Sequence, residues 1–267
     1  MKYFEFGQQN EKLMVMLHGG GVCYKGVMPV AEQLSKDLHV IVVAYDGFNP
    51  SEPETEFTSV MDEAKRLGDY IIRHHGGKID ILYALSYGCR VLLEVLADKR
   101  LTITTAIADG MSTREYPRIK SKLGKDVYCF FFTGLFYIMM GKAGPLRKRF
   151  LARITGRTVE EAERLLYQQA TWRSWKNQDL CLINRPIDFS VFKRTDMHIW
   201  HGVNSSVEKK LARDIRKWQD AGYAFTYKAF HDVGHGGLAG EHTDRFMEEV
   251  KATHQLSLDK KKAAQRS

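Results

Sequence analysis

Three short stretches of the 267-residue sequence carry side chains whose types and spacing suit acyl transfer. Ala84-Leu85-Ser86-Tyr87-Gly88 ends an apolar run and precedes a helix-like one. A sharp strand-to-helix turn there lifts a serine hydroxyl out of a sheet, and small neighbours leave room for the carbonyl it attacks. Alanine stands where such an elbow usually has its first glycine, and taken alone the pentapeptide also describes an ordinary serine helix cap. Leu17-His18-Gly19-Gly20-Gly21 offers backbone N–H groups with no side chain in the way, as an oxyanion site requires, or else a flexible turn. Gly234-His235-Gly236 offers an imidazole that takes a proton from a nucleophile and returns it to a leaving group, or else a solvated loop histidine. His231 and His235 stand at i, i+4, but Gly234, Gly236 and Gly237 argue against a helix and no third metal ligand is indicated.

Whether these stretches meet depends on the elements around them. Continuous apolar runs at 13–17 and 39–44 predict strands buried on both faces, with Val30, Ala31 and Leu34 at helical spacing between them. Val60, Ala64, Leu67 and Ile71 predict a second helix, with Thr58 or Ser59 to cap its start and Gly76 beyond its end. A strand over 79–85, a helix from about 87 to 97 and a strand over 102–108 follow, and the N-terminal 1–6 reads as a first strand. This succession predicts an α/β fold, a mostly parallel central sheet flanked by helices. The glycine turn and Ser86 then fall one strand–helix–strand step apart, which brings them to the same sheet edge. Strand character disappears from about 111 to 189, where a capping box at Thr158-Val159-Glu160-Glu161 marks one helix, and returns at 197–201 and 225–230. The expected organisation is a core of residues 1–110 and 191–256, a helical insertion over 111–190 and a solvated basic tail over 257–267.

Composition restricts the function classes. At 44% hydrophobic and 27% charged the chain is of ordinary globular type, neither disordered nor fibrous. The net charge of +8 lies partly in Lys260-Lys261-Lys262 and Arg266, and no aromatic-interleaved basic motif is evident elsewhere, so nucleic-acid binding is not expected. The apolar stretch 127–140 is 14 residues long, shorter than the ~20 of a spanning helix, and predicts a buried or pocket-lining helix rather than an integral membrane segment. Cys23, Cys89, Cys129 and Cys181 lack metal spacing and are too few for a disulfide scaffold; with no secretory pattern at the start, a cytoplasmic protein is expected.

Together the turn at 18–21, the loop Tyr45-Asp46-Gly47-Phe48-Asn49-Pro50-Ser51, the elbow at Ser86 and Gly234-His235 resemble the α/β-hydrolase superfamily over about 12–110 and 195–250. The loop is similar to a degraded form of the D-x-x-G-x-G-x-S region of that family. The resemblance implies a serine hydrolase with Ser86 as nucleophile, His235 as base, the N–H groups of Gly20 and Tyr87 as oxyanion donors, and residues 111–190 as a cap. It implies a small-molecule ester substrate, no cofactor and no metal. The acid that orients the histidine is not where the family commonly has it, because Gly202 is followed by Val203-Asn204-Ser205-Ser206. Glu208 is the next carboxylate, and Ser205-Ser206-Val207-Glu208 is also a capping box. Asp109, at the end of the strand after the elbow helix, is the preferred acid, although Asp109-Gly110 also suits a plain turn. Phe130, Phe131 and Phe132, with Leu135, Phe136 and the residues after them, are expected either to line an apolar pocket or to join the cap to the core. The same residues would also serve thioester or carbon–carbon hydrolysis, and loss of the acid would leave a binding protein of the same fold.

Overall fold

All five side chains of Leu13–Leu17 are buried, and so are five of the six in His39–Ala44, because these strands lie inside a sheet that has helices on both faces. The computed structural model describes residues 1–113, 119–134, 137, 167, 169–203 and 208–266, without the side chains of 208–210 and 212. The strands are β1 (Lys2–Phe6), β2 (Leu13–Leu17), β3 (His39–Ala44), β4 (Lys78–Leu85), β5 (Thr102–Asp109), β6 (Asp196–Gly202) and β7 (Thr226–Phe230). They form a seven-stranded sheet in the order β1-β3-β2-β4-β5-β6-β7. β1 runs antiparallel to β3 and every other pair is parallel, as the alternation of strands and helices predicted.

Helices α1 (Met28–Leu34), α2 (Val60–His75) and α3 (Gly88–Ala97) follow β2, β3 and β4. Ser59 caps α2 by accepting the Asp62 N–H at 3.1 Å, and Gly76 closes the helix at φ 60°. α2 packs beside α3 on one face of the sheet, while α1 meets the terminal helix on the other. The described part of the insertion holds α4 (Lys122–Tyr128), continued by a π-helical turn at Cys129–Thr133, and α5 (Trp172–Asn184). After β6 come α6 (Glu208–Asp220), α7 (Gly237–Glu241) and α8 (Thr243–Arg266). Residues 257–266, expected as a solvated tail, continue α8: Ser257 is buried and Lys260 pairs with Asp196 at 2.9 Å, while 261–266 are exposed.

One expectation is corrected. Phe130, Phe131 and Phe132 neither line a pocket nor join cap to core; they are 70%, 65% and 53% exposed. The helical phase decides this, because Cys129 and Thr133 take the inward positions four residues apart and Thr133 donates to Asp179 of α5 at 2.5 Å. Tyr137 is half-buried against Trp172, whereas residues 135, 136, 138–140 and the capping box at 158–161 lie outside the described residues. Among the described residues no helix is long and apolar enough to cross a membrane.

Candidate active site

The chain leaves β2 for β3 on one side and returns to β4 on the other, and such a reversal opens a crevice beyond the carboxyl ends of the two strands. Leu17 pairs with Ala84, so the turn at 18–21 and Ser86 leave the sheet side by side. A Cβ on Gly19 would stand 3.4 Å from Cβ of Ser86, and one on Gly20 only 2.9 Å from Cβ of Tyr87. Ser86 has φ 53° and is the only non-glycine with positive φ among the described residues. That conformation costs about 1–3 kcal/mol and persists only where the surroundings enforce it. Here the Ser86 N–H donates to the Asp109 carbonyl at 2.7 Å, and Gly88 sits so close to β2 that an added Cβ would lie 2.6 Å from the His18 carbonyl oxygen. The elbow is thus wedged between the ends of β2 and β5.

His18 holds the glycine turn in shape. Its Nδ1 bonds to the Gly19 carbonyl at 2.8 Å and its Nε2 accepts the Tyr45 N–H at 3.4 Å, so the proton lies on Nδ1. Burial pushes its pKa down to about 4, and the ring stays neutral near pH 7. The loop that follows β3 is a support for this turn: Asp46 pairs with Arg66 and with the amino group of Met1, and α5 braces Phe57 through Ser174 and Asn177.

The path of His235 to the same edge depends on two glycines. After β7 the chain crosses the end of β6, where a Cβ on Gly202 would lie 2.1 Å from the Gly234 carbonyl oxygen. It then lays the His235 ring over Gly110, where an added Cβ would be 2.4 Å from Cε1 and 2.7 Å from Nδ1. Any side chain at either place would displace the loop. The imidazole therefore rests against Gly110, the residue that follows the end of β5, and Gly236 lies against Leu85 at the end of β4.

Asp109 is 2% exposed, and its Oδ2 accepts from the Tyr83 hydroxyl at 2.8 Å. Tyr83 is a supporting residue that inspection of motifs misses. Leu85 pairs with Asp109, so two-residue alternation sets Tyr83 and Asp109 on one face of neighbouring strands, a signal present in the sequence once the pairing is known. Asp232, three residues before His235, is exposed and pairs with Arg245 at 2.6 Å. Asn204 and the side chain of Glu208 lie outside the described residues. The structure thus brings Gly20, Ser86, Tyr87, Asp109 and His235 to one edge of the sheet.

Gln178 of α5 joins them and has no sequence signature. Its carboxamide oxygen lies 3.2 Å from the place of a Cβ on Gly20, and its backbone carbonyl accepts from the Tyr87 hydroxyl at 3.1 Å. The side chain is 3% exposed and its Nε2 has no partner among the described residues. A buried donor left unmade costs about 1–3 kcal/mol, so Gln178→Met is expected to raise stability by about 1 kcal/mol in a urea melt. A lowered midpoint would show that the carboxamide stabilises this contact instead.

The sequence matches a family described as the alpha/beta hydrolase family over residues 14–249. No curated protein matches the sequence. Among solved structures, an alpha/beta hydrolase family protein from Desulfitobacterium hafniense is similar at TM-score 0.68 and 15% identity, covering 94% of this chain and 99% of that one. MenH from S. aureus is similar at TM-score 0.68 and 16% identity, over 96% and 98% of the two chains. A thermophilic esterase from Thermogutta terrifontis is similar at TM-score 0.66 and 17% identity, over 95% and 93%.

Proposed function

Because the chain belongs to the alpha/beta hydrolase family, we propose that it is a serine hydrolase that cleaves small carboxylic esters with an apolar part through an acyl-enzyme. The observation that carries this reading is the strained Ser86, set at the reversal of the sheet beside a glycine turn, with the His235 ring laid over Gly110, the residue after Asp109. Ser86 Oγ attacks the acyl carbonyl while His235 takes its proton, and the N–H groups of Gly20 and Tyr87 hold the oxyanion. The alcohol leaves with the proton from His235. Water, deprotonated by the same ring, then releases the acid and restores Ser86. Asp109 orients the imidazole and stabilises its charged form. Hydrolysis of this kind is supported by the similarity to a solved esterase, and it uses no cofactor.

A narrow cleft beside the elbow supports the apolar part of the substrate. His18, Val22, Cys23, Val27, Leu85 and Ala239 are among its lining residues, and burial pushes the Cys23 thiol up, so it is an unreactive wall. Nitrophenyl esters of rising acyl length test the proposal. Turnover that Ser86→Ala abolishes, and that rises from acetate to butyrate by about 10-fold, as two added methylenes allow, is expected. No hydrolysis of any ester would overturn the reading, and a preference for acetate with no gain on lengthening would remove the apolar part from it.

A further inference from the structure

We propose that the helical segment 122–133 docks flat on an anionic lipid surface. Among the described residues large apolar side chains that stand exposed are few, and five of the eight lie within the ten residues from Leu123 to Phe132. Leu123, Val127, Phe130 and Phe131 are spaced i, i+4, i+7 and i+8, which makes one stripe along a helix. Leu123 is 75% exposed and Phe130 70%, whereas the other described aromatic side chains are mostly buried or half-buried. Contiguous exposed apolar surface of this kind marks a site of contact.

The stripe is held outward. Another side of the segment is packed on α5 by the bond from Thr133 to Asp179 and by the ion pair of Asp126 with Lys176 at 2.7 Å, and Cys129 is fully buried there. Turning the phenylalanines inward would break both contacts with α5. Trp172 of α5 stands partly exposed near the end of the segment, its ring close to Gly134. Aromatic side chains, tryptophan above all, suit the boundary between headgroups and acyl chains.

Charge selects the occupant. Lys120 and Lys122 are exposed and Lys125 half-exposed along this segment, and its single carboxylate, Asp126, is neutralised by Lys176. A second copy of the chain would bring the same positive charges against these, whereas acidic headgroups complement them. An apolar stripe flanked by lysines is the pattern of a helix that lies in the interface, and the described segment is too short to span.

Co-sedimentation of the full chain with vesicles of phosphatidylcholine, alone or mixed with phosphatidylglycerol, tests the proposal. Binding is expected to be at least about 10-fold tighter to the mixed vesicles, and to be largely lost at about 0.5 M NaCl. Phe130→Glu with Phe131→Glu is expected to weaken binding to both vesicle types by about 10-fold or more, since the stripe supplies the apolar part. Lys120→Glu with Lys122→Glu is expected to remove most of the preference for the mixed vesicles, and serves if the phenylalanine variant fails to fold. Absence of sedimentation, equal binding to both vesicles, or a dimer that Phe130→Glu dissolves would each overturn the proposal, the last in favour of a second copy.

Discussion

Ser86→Ala is expected to abolish ester turnover, and His235→Ala to lower it by about 10³-fold or more, because a nucleophile and its base act as one unit. Ser86 is held at φ 53° by the bond of its N–H to the Asp109 carbonyl and by the close approach of Gly88 to β2, neither of which involves its hydroxyl. Removing Oγ therefore leaves the elbow standing and removes only the atom proposed to attack. His235 lies over Gly110 with no side chain between, so its loss leaves a gap at the crevice and, in the proposed mechanism, a serine hydroxyl without a proton acceptor. Both variants are expected to melt within a few degrees of the parent protein, which separates loss of chemistry from loss of fold. Near-normal turnover in His235→Ala would point to another base.

The second large effect concerns the acid. Asp109→Asn is expected to lower turnover by about 10²-fold or more while leaving the fold intact, since the amide keeps the shape but no longer stabilises an imidazolium or fixes its tautomer. Asparagine still accepts the Tyr83 hydroxyl that now bonds to Oδ2, so the buried tyrosine is not orphaned. Glu208→Gln is expected instead to cost roughly 0.5–2 kcal/mol of stability, as a change in the first turn of α6 would, with turnover near normal. The reverse pattern would move the acid to the start of α6. Asp232 is a poor third choice, because Arg245 holds it in solvent and its hydrogen bond keeps the carboxyl below the usual range.

Much of this site is legible in the chain because its parts are local. A strand that ends at Leu85, just before Ser86, and a helix that starts at Gly88 are visible as a change of hydrophobic period, and the glycines around His235 announce a turn. What is not legible depends on which strands become neighbours. Gly110 and Gly202 look like ordinary turn residues until β5, β6 and the loop after β7 are brought together, and only then is the absence of a side chain seen to be a requirement. Tyr83 and Gln178 are hidden for the same reason. The phenylalanines at 130–132 fail differently, because composition gives their apolarity but not their phase, and two contacts with α5 turn the stripe outward.

Reaction of the intact protein with a fluorophosphonate, followed by mapping of the adduct, tests the central claim most directly. A serine is phosphonylated readily only when a base takes its proton and donors receive the developing oxyanion, so the probe reads activation rather than exposure. One adduct per chain on Ser86, absent from Ser86→Ala and slowed in His235→Ala, is the expected result. An adduct on another serine with Ser86 unmodified, or no adduct at all, would contradict it.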